Sequence, residues 1–581
     1  LLLLLGVRIG PCACRFREAE QTKSRFVAGL IGRTLNLSLS DRRKKYAAIC
    51  RRQGILKSWG ILSIQLGGSG MMLANIDRRF GLSLFLGSIL ATGLFGADVD
   101  WVPNSNGDWD EVANWSSNPL LPTASDDVTI DVGGVTLRSI RHDVGTTTIG
   151  SLQLSERLNV VGGSVTVQGA VTLAADSTLI ANGGSVLFNG SVQADGADLE
   201  AAGGSVLTIP ITSFDQTGGS VRFRASQAGS VLDLSTLTSI AGSTTNFRDV
   251  TMEALSGSLL DLGSLSSITR PSNFSNVRIS ADGAGSEVDL SSHADFTSGA
   301  VTDVTTLNGG TISWSNPTAI QGVNVTVGGL LATQQIVSLT NGSLHATDGV
   351  VPNTNNLTNA DGSSLIAGDL FSTGTLSFPL LTSYTNTATS DIRFTSEGSS
   401  SFLDLSALES IAGNQSDFRG FVIEAKGGGS LDLSQLTSAT RPANFGSFVL
   451  ASNGVGSLFD VASFADYSSG AVTDVNVTNG GAMVWSNPTA IDRVSLVLDG
   501  VLATGQIADF TNGRILVTNS DSSPADFGNL TNVDGSSLVA GTLFDSGILN
   551  LPQVTTYTNT SGAAEELRAE RVGSLLDLSN L

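Results

Sequence analysis

The chain has 581 residues, with 31 Lys and Arg against 52 Asp and Glu, a formal net charge of −21. Such acidity disfavours nucleic acid and anionic membrane surfaces as partners, because both are polyanions. It suits solubility outside a cell and contact with divalent cations.

The charge is unevenly spread. Residues 1–70 hold 13 Lys/Arg, 3 Asp/Glu and all three cysteines (Cys12, Cys14, Cys50), whereas residues 98–581 hold 16 Lys/Arg against 48 Asp/Glu. The shift predicts that 1–70 is a non-native or disordered upstream extension. Residues 71–97 have the plan of a secretory signal peptide: Arg78 and Arg79, an apolar stretch from Phe80 to Phe95, then small residues. Met71 or Met72 is the expected start and cleavage is expected near Ala97, with Gly93 after Ala91 as a competing site. A basic segment followed by a signal anchor is the alternative, but the apolar run falls short of the roughly 20 residues of a span. After cleavage the chain has no cysteine, hence neither disulfides nor thiolate–metal sites. No later apolar segment is long enough for membrane insertion.

Residues 98–147 stand apart, with three tryptophans (Trp101, Trp109, Trp115) ahead of the repeats. A solenoid end exposes an apolar cross-section, so these residues read first as an N-terminal cap. The competing reading makes Trp109 and Trp115 an aromatic sugar-binding platform. Residues 148–221 carry short coils, with GGSV at Gly162, Gly183 and Gly203. Two long units follow, 222–392 and 393–565, and 566–581 begins a truncated third. LDLS starts at Leu232, Leu403 and Leu576, spacings of 171 and 173, and WSNPTAI starts at Trp314 and Trp485. Within a unit, LDL or its variants recur every 28 residues, at Leu232, Leu260 and Val288 and at Leu403, Leu431 and Phe459.

Short period-two runs of β-branched residues broken by Gly, Asn or Asp predict strands and turns throughout. A register this regular predicts an all-β chain wound as a right-handed parallel β-helix (β-solenoid) with coils of about 20–28 residues. Stacked at about 4.8 Å per coil, it would extend on the order of 80–115 Å. Tandem β-sandwich domains are the alternative.

The pattern of Trp101 to Asp131, W…GDW…ANWS…P…DDVTID, and the coils from Thr148 onward resemble large secreted bacterial repeat proteins. These are the adhesin-like, haemagglutinin/haemolysin-related giants seen especially in planctomycetes. The resemblance implies export, a β-solenoid and a surface attachment or matrix role. It carries over no catalytic residues, and the chain shows no anchor, translocator barrel or calcium-binding nonapeptide array matching such proteins.

The chief chemical candidates are the aspartates of the LDL elements: Asp233, Asp261, Asp289, Asp404, Asp432 and Asp460, with Asp577 in the third copy. Alternation puts them on the outer face, about 5 Å apart in aligned coils. Calcium bridging the carboxylates would offset their repulsion. The simpler reading, which we prefer, is that each Asp turns into its loop and accepts a backbone N–H. Trp314 and Trp485 would be binding platforms if they face outward and core if they face inward. His142, His293 and His345 are scattered, so metal triads and Ser/His/Asp sites are not expected. Arg222 and Arg393, like Arg270-Pro271 and Arg441-Pro442, recur in register as structural ion pairs would. No cofactor is expected beyond such calcium.

The expectation is therefore a non-catalytic, secreted or cell-surface solenoid: an adhesin, matrix or coat component that meets surface polysaccharide or other cell-surface molecules through repeated patches. The alternative is a carbohydrate-active β-helix enzyme, a polysaccharide lyase or hydrolase.

Overall fold

The computed structural model describes residues 96–134, 136–269, 274–294, 302–414, 419–440, 446–465, 467–518, 525–560 and 564–581, without the side chains of 467–472. All of them belong to one compact unit, Leu84–Leu581. The segments expected to be an upstream extension and, up to residue 95, a signal peptide lie outside the described residues, as do the two Arg-Pro pairs.

The unit is all-β, its parallel strands stacked as a β-solenoid of about 18 turns. Among the described residues the one helical element is a single 3-10 turn, Val112–Asn114. One ladder runs the length of the solenoid, each strand pairing with its counterpart in the next coil, from Gly107–Asp108 and Ser139–His142 to Leu567–Ala569. A second ladder holds nine strands from Thr146–Ile149 to Leu330–Leu331, then six from Thr375–Ser377 to Val501–Leu502. A third face is built from shorter sets, such as Ser213–Asp215, Ser239–Ala241 and Ser267–Thr269. These parallel ladders exclude the antiparallel sandwich.

Alternation explains the interior. In each LDL strand the middle residue faces in, so Leu232, Leu260 and Val288 are fully buried and stack in register. Each such side chain contributes about 1.5–3 kcal/mol by leaving water. Because neighbouring coils repeat the pattern, these residues join one continuous core cluster. The turn before each LDL strand needs a left-handed residue, supplied by Gly257 (φ +84°) and Gly285 (φ +78°) in successive coils.

Coil length varies more than the sequence implies, and it varies in a fixed order. In the first ladder Val221 pairs with Val250, Val250 with Val277, Val277 with Thr302 and Thr302 with Val323, steps of 29, 27, 25 and 21 residues. Asn324 to Ser343, Ser343 to Ser364 and Leu365 to Phe394 add steps of 19, 21 and 29. From Ile392 the series restarts: Phe421, Phe448, Thr473 and Val494 follow at 29, 27, 25 and 21. Ser495 to Arg514, Arg514 to Ser537 and Leu538 to Leu567 then add 19, 23 and 29. Each long unit is thus seven coils, and the two-residue difference between 171 and 173 falls in the sixth.

Candidate functional site

The aspartates form the expected columns. Asp233, Asp261 and Asp289 are register partners in successive strands, as are Asp404, Asp432 and Asp460. Each carboxylate accepts the backbone N–H two residues on: Ser235 for Asp233, Gly263 for Asp261, Ser291 for Asp289, Ser406 for Asp404, Ser434 for Asp432 and Ala462 for Asp460, at 2.8–3.0 Å. Asp577 does the same with Ser579 at 2.9 Å. Thr208 Oγ1 also donates to Asp233 (3.0 Å) and Ser377 Oγ to Asp404 (2.6 Å). A hydrogen bond to a charged group is worth about 1.5–3 kcal/mol, against roughly 1 kcal/mol of repulsion per neighbouring pair in water. The turns themselves therefore offset the repulsion, and calcium is not needed to explain the columns. Among the described residues no group of three or more His, Cys, Asp or Glu side chains is arranged to hold a metal ion.

All the tryptophans named as platforms face inward, which corrects that reading. Trp314 is 0% exposed and Trp485 1%. The Trp485 indole N–H donates to the Phe464 carbonyl at 2.9 Å, and the rings of the two residues stack at 6.1 Å. The backbone carbonyls of both tryptophans accept the side-chain amides of Gln335 and Gln506 in matching geometry, at 2.9 and 2.8 Å. Trp109 and Trp115 are equally buried, with ring centroids 4.6 Å apart, and Trp101 packs edge-on to Trp115 at 5.2 Å. The Trp115 N–H donates to the Trp109 carbonyl at 2.7 Å. Burying such large rings is worth more at the cap than an open face. Arg222 lies 3.7 Å from Glu200 on the neighbouring coil, a cross-strand ion pair.

Sequence reasoning missed a strongly exposed apolar feature. In the sixth coil of the first unit, residues 347–363 contribute no strand to the second ladder. The chain then leaves the first ladder through a tight loop, Gly368 to Thr373, that carries Leu370 at 70% exposure and Phe371 at 93%. The loop is fixed by its own hydrogen bonds. Asp369 N–H donates to the Ser372 carbonyl at 2.8 Å, and the Asp369 carboxylate accepts the Phe371 and Ser372 amides, both at 2.8 Å. Those bonds hold the Asp369 carboxyl below its ordinary pKa even though burial alone would raise it. Gly368 has φ +73°, and a Cβ there would run into Ser401 Oγ and the Glu397 carbonyl.

The loop recurs one unit later. Leu543 and Phe544 are 76% and 77% exposed, Thr542 N–H donates to the Asp545 carbonyl at 2.7 Å, and the Thr542 hydroxyl accepts the Phe544 and Asp545 amides. Gly541 (φ +85°) meets Ser574 Oγ and the Glu570 carbonyl, the counterparts of the first loop. Beside the first loop lies an open groove of about 740 Å³, with Gly309, Gly328, Gly329 and Gly349 among its lining and Leu330 and Phe371 at its sides. The available signal is GDLFSTG at 368–374 and GTLFDSG at 541–547. An adjacent Leu-Phe pair between glycines cannot put both side chains inside a strand.

Comparison of the chain with protein-family models, with curated proteins and with solved structures returns no match.

Proposed function

We propose that the protein is a secreted or cell-surface scaffold, an adhesin, matrix or coat component, that binds surface polysaccharide through equivalent patches, one per long unit, without catalysing a reaction. One observation carries this reading: two internally hydrogen-bonded loops present the same exposed Leu-Phe pair at the same coil of successive units. Exposed apolar groups held on a braced loop gain nothing for the fold, and repeating them multiplies weak contacts into avidity. The resemblance to secreted repeat proteins and the signal-like segment at 71–97 support export.

The test is retention of the full chain on a panel of insoluble cell-surface and algal polysaccharides, with release of reducing or unsaturated sugar ends measured in the same tubes. We expect retention without release, and a Phe371→Ala/Phe544→Ala double variant should lose at least tenfold in affinity. Appearance of new sugar ends would replace the scaffold by an enzyme. A panel that retains nothing would remove the binding role.

A further inference from the structure

The second ladder's outer face carries two columns of unlike character. Outward positions at the start of its strands form a column paired coil to coil: Val206, Val231, Leu259, Glu287, Thr311 and Leu330, then Thr375, Phe402, Ser430, Leu458, Ala482 and Val501. Much of this column is apolar and open to solvent: Val206 is 54% exposed, Leu330 67%, Phe402 36%, Leu458 41% and Val501 64%. Two residues along each strand runs the second outward column, which contains the aspartates. One oxygen of each is used in its turn, and the second oxygens of Asp261, Asp289, Asp432 and Asp460 accept no hydrogen bond from a described residue. The Leu370-Phe371 loop and its groove interrupt the face where the second ladder breaks, between Leu331 and Thr375.

We propose that this face seats a neutral, extended polysaccharide chain running parallel to the solenoid axis, with about one sugar ring per coil. The inference rests on the polysaccharide-binding reading above and names its ligand class and direction. Three features select the occupant. Coils rise by about 4.8 Å, and the two columns lie about 6.5–7 Å apart, a lattice that matches the length and width of a pyranose ring in an extended chain. Apolar side chains beside acceptor-only carboxylates complement a ring that offers a C–H face and hydroxyl donors at its rim. The carboxylate columns repel an anionic polymer, and a second copy of this chain would bring its own charge of −21 against them. A neutral polyol meets neither penalty. The Phe371 loop then stands at the break in the face, where its groove ends the seat on the first set of strands.

Calorimetric titration of the full chain with soluble oligosaccharides of two to six rings tests this. The probes are the β-1,4-linked glucose and N-acetylglucosamine series, which are extended, and the α-1,4-linked glucose series, which coils. At least one extended series should gain affinity severalfold with each added ring, and the coiled series should not. A Leu458→Ser/Val501→Ser variant should bind the longest extended ligand at least tenfold more weakly while still melting cooperatively, since both side chains are exposed and no charge is added to the face. A second variant, Phe402→Ala, should weaken binding in the same direction.

Equal binding of the coiled series, no gain beyond two rings, or parental binding by the stripe variants would overturn the proposal. If the polymer panel retains the protein and only the Phe371/Phe544 variant releases it, the scaffold reading stands and axial seating falls. If no polymer is retained, both fall.

Discussion

Asp404 accepts hydrogen bonds from Ser377 Oγ and from both the amide and the hydroxyl of Ser406. Burial pushes its pKa up, but these donors together hold it below the ordinary value, and Asp233 is held low in the same way by Ser235 and Thr208. A carboxyl whose folded pKa lies below its unfolded value stabilises the fold fully above the unfolded pKa, near about 4, and loses that contribution as pH falls through the folded value. The melting temperature should therefore drop between about pH 4.5 and about pH 2. The drop should be shallower in an Asp233→Asn/Asp404→Asn variant; identical slopes would show that these turns carry none of the acid sensitivity. Gly368 gives a second handle at this scale. Gly368→Ala forces a side chain into a left-handed backbone already filled by Ser401, and should cost more than about 1 kcal/mol in denaturant unfolding. Phe371→Ala should change stability by less than about 0.5 kcal/mol, because the ring is almost wholly exposed.

At the scale of strands and coils, the legibility of the sequence divides along clear lines. The aspartate columns and their buried partners could be read directly, because a 28-residue period with LDL alternation leaves one register for parallel pairing. The orientation of Trp314 and Trp485 was equally available: Ile312, Ser313 and Trp314 alternate in, out, in, as do Met483, Val484 and Trp485. Leaving the facing of these residues open overlooked the alternation of the strand that leads into each of them. The Leu-Phe loops were less legible, because one outward apolar residue is ordinary on a strand, and only the strand's end at Ala367 shows that both residues of the pair leave the core. A Trp485→Ala variant should lose about 3–5 kcal/mol of stability as a core cavity, without weakening polysaccharide retention at temperatures where it stays folded. The sixth coils offer a complementary test. Asn353 and Asp526 hold equivalent turns, accepting the amides of Asn355 and Gly528, so the two extra residues of the second unit fall before Asp526. Deleting Asn519 and Ser520 should restore the first unit's coil length and leave the melting temperature within about 2 °C of the parent.

For the solenoid as a whole, the order of coil lengths makes the seven-coil unit the natural step of addition or removal. Deleting residues 222–392 joins Val221 to Arg393, and the next strand then presents Phe394 where Phe223 had stood against Leu199. Because the ladders pair adjacent coils, and a bond that skips a coil, such as Thr387 Oγ1 to Asn341 Oδ1, lies within the deleted unit, this shortened chain should keep its far-ultraviolet spectrum and melt cooperatively. It should also lose one Leu-Phe patch and with it the avidity component of retention, seen as faster release from insoluble polymer. A deletion of whole coils short of the full unit stacks coils that do not adjoin in the parent, and should aggregate or melt early.

The ladders also decide how the molecule responds to force. Their hydrogen bonds point from one coil to the next, so tension applied along the axis pulls on one rung set at a time. A 29-residue coil such as that from Val221 to Val250 occupies about 4.8 Å of axis when wound and about 100 Å when drawn straight. Each coil that opens therefore pays out roughly twenty times its own rise while its neighbours stay shut. A β-solenoid built this way yields under load by lengthening in small steps, and its two ends can draw apart while most of its coils stay wound.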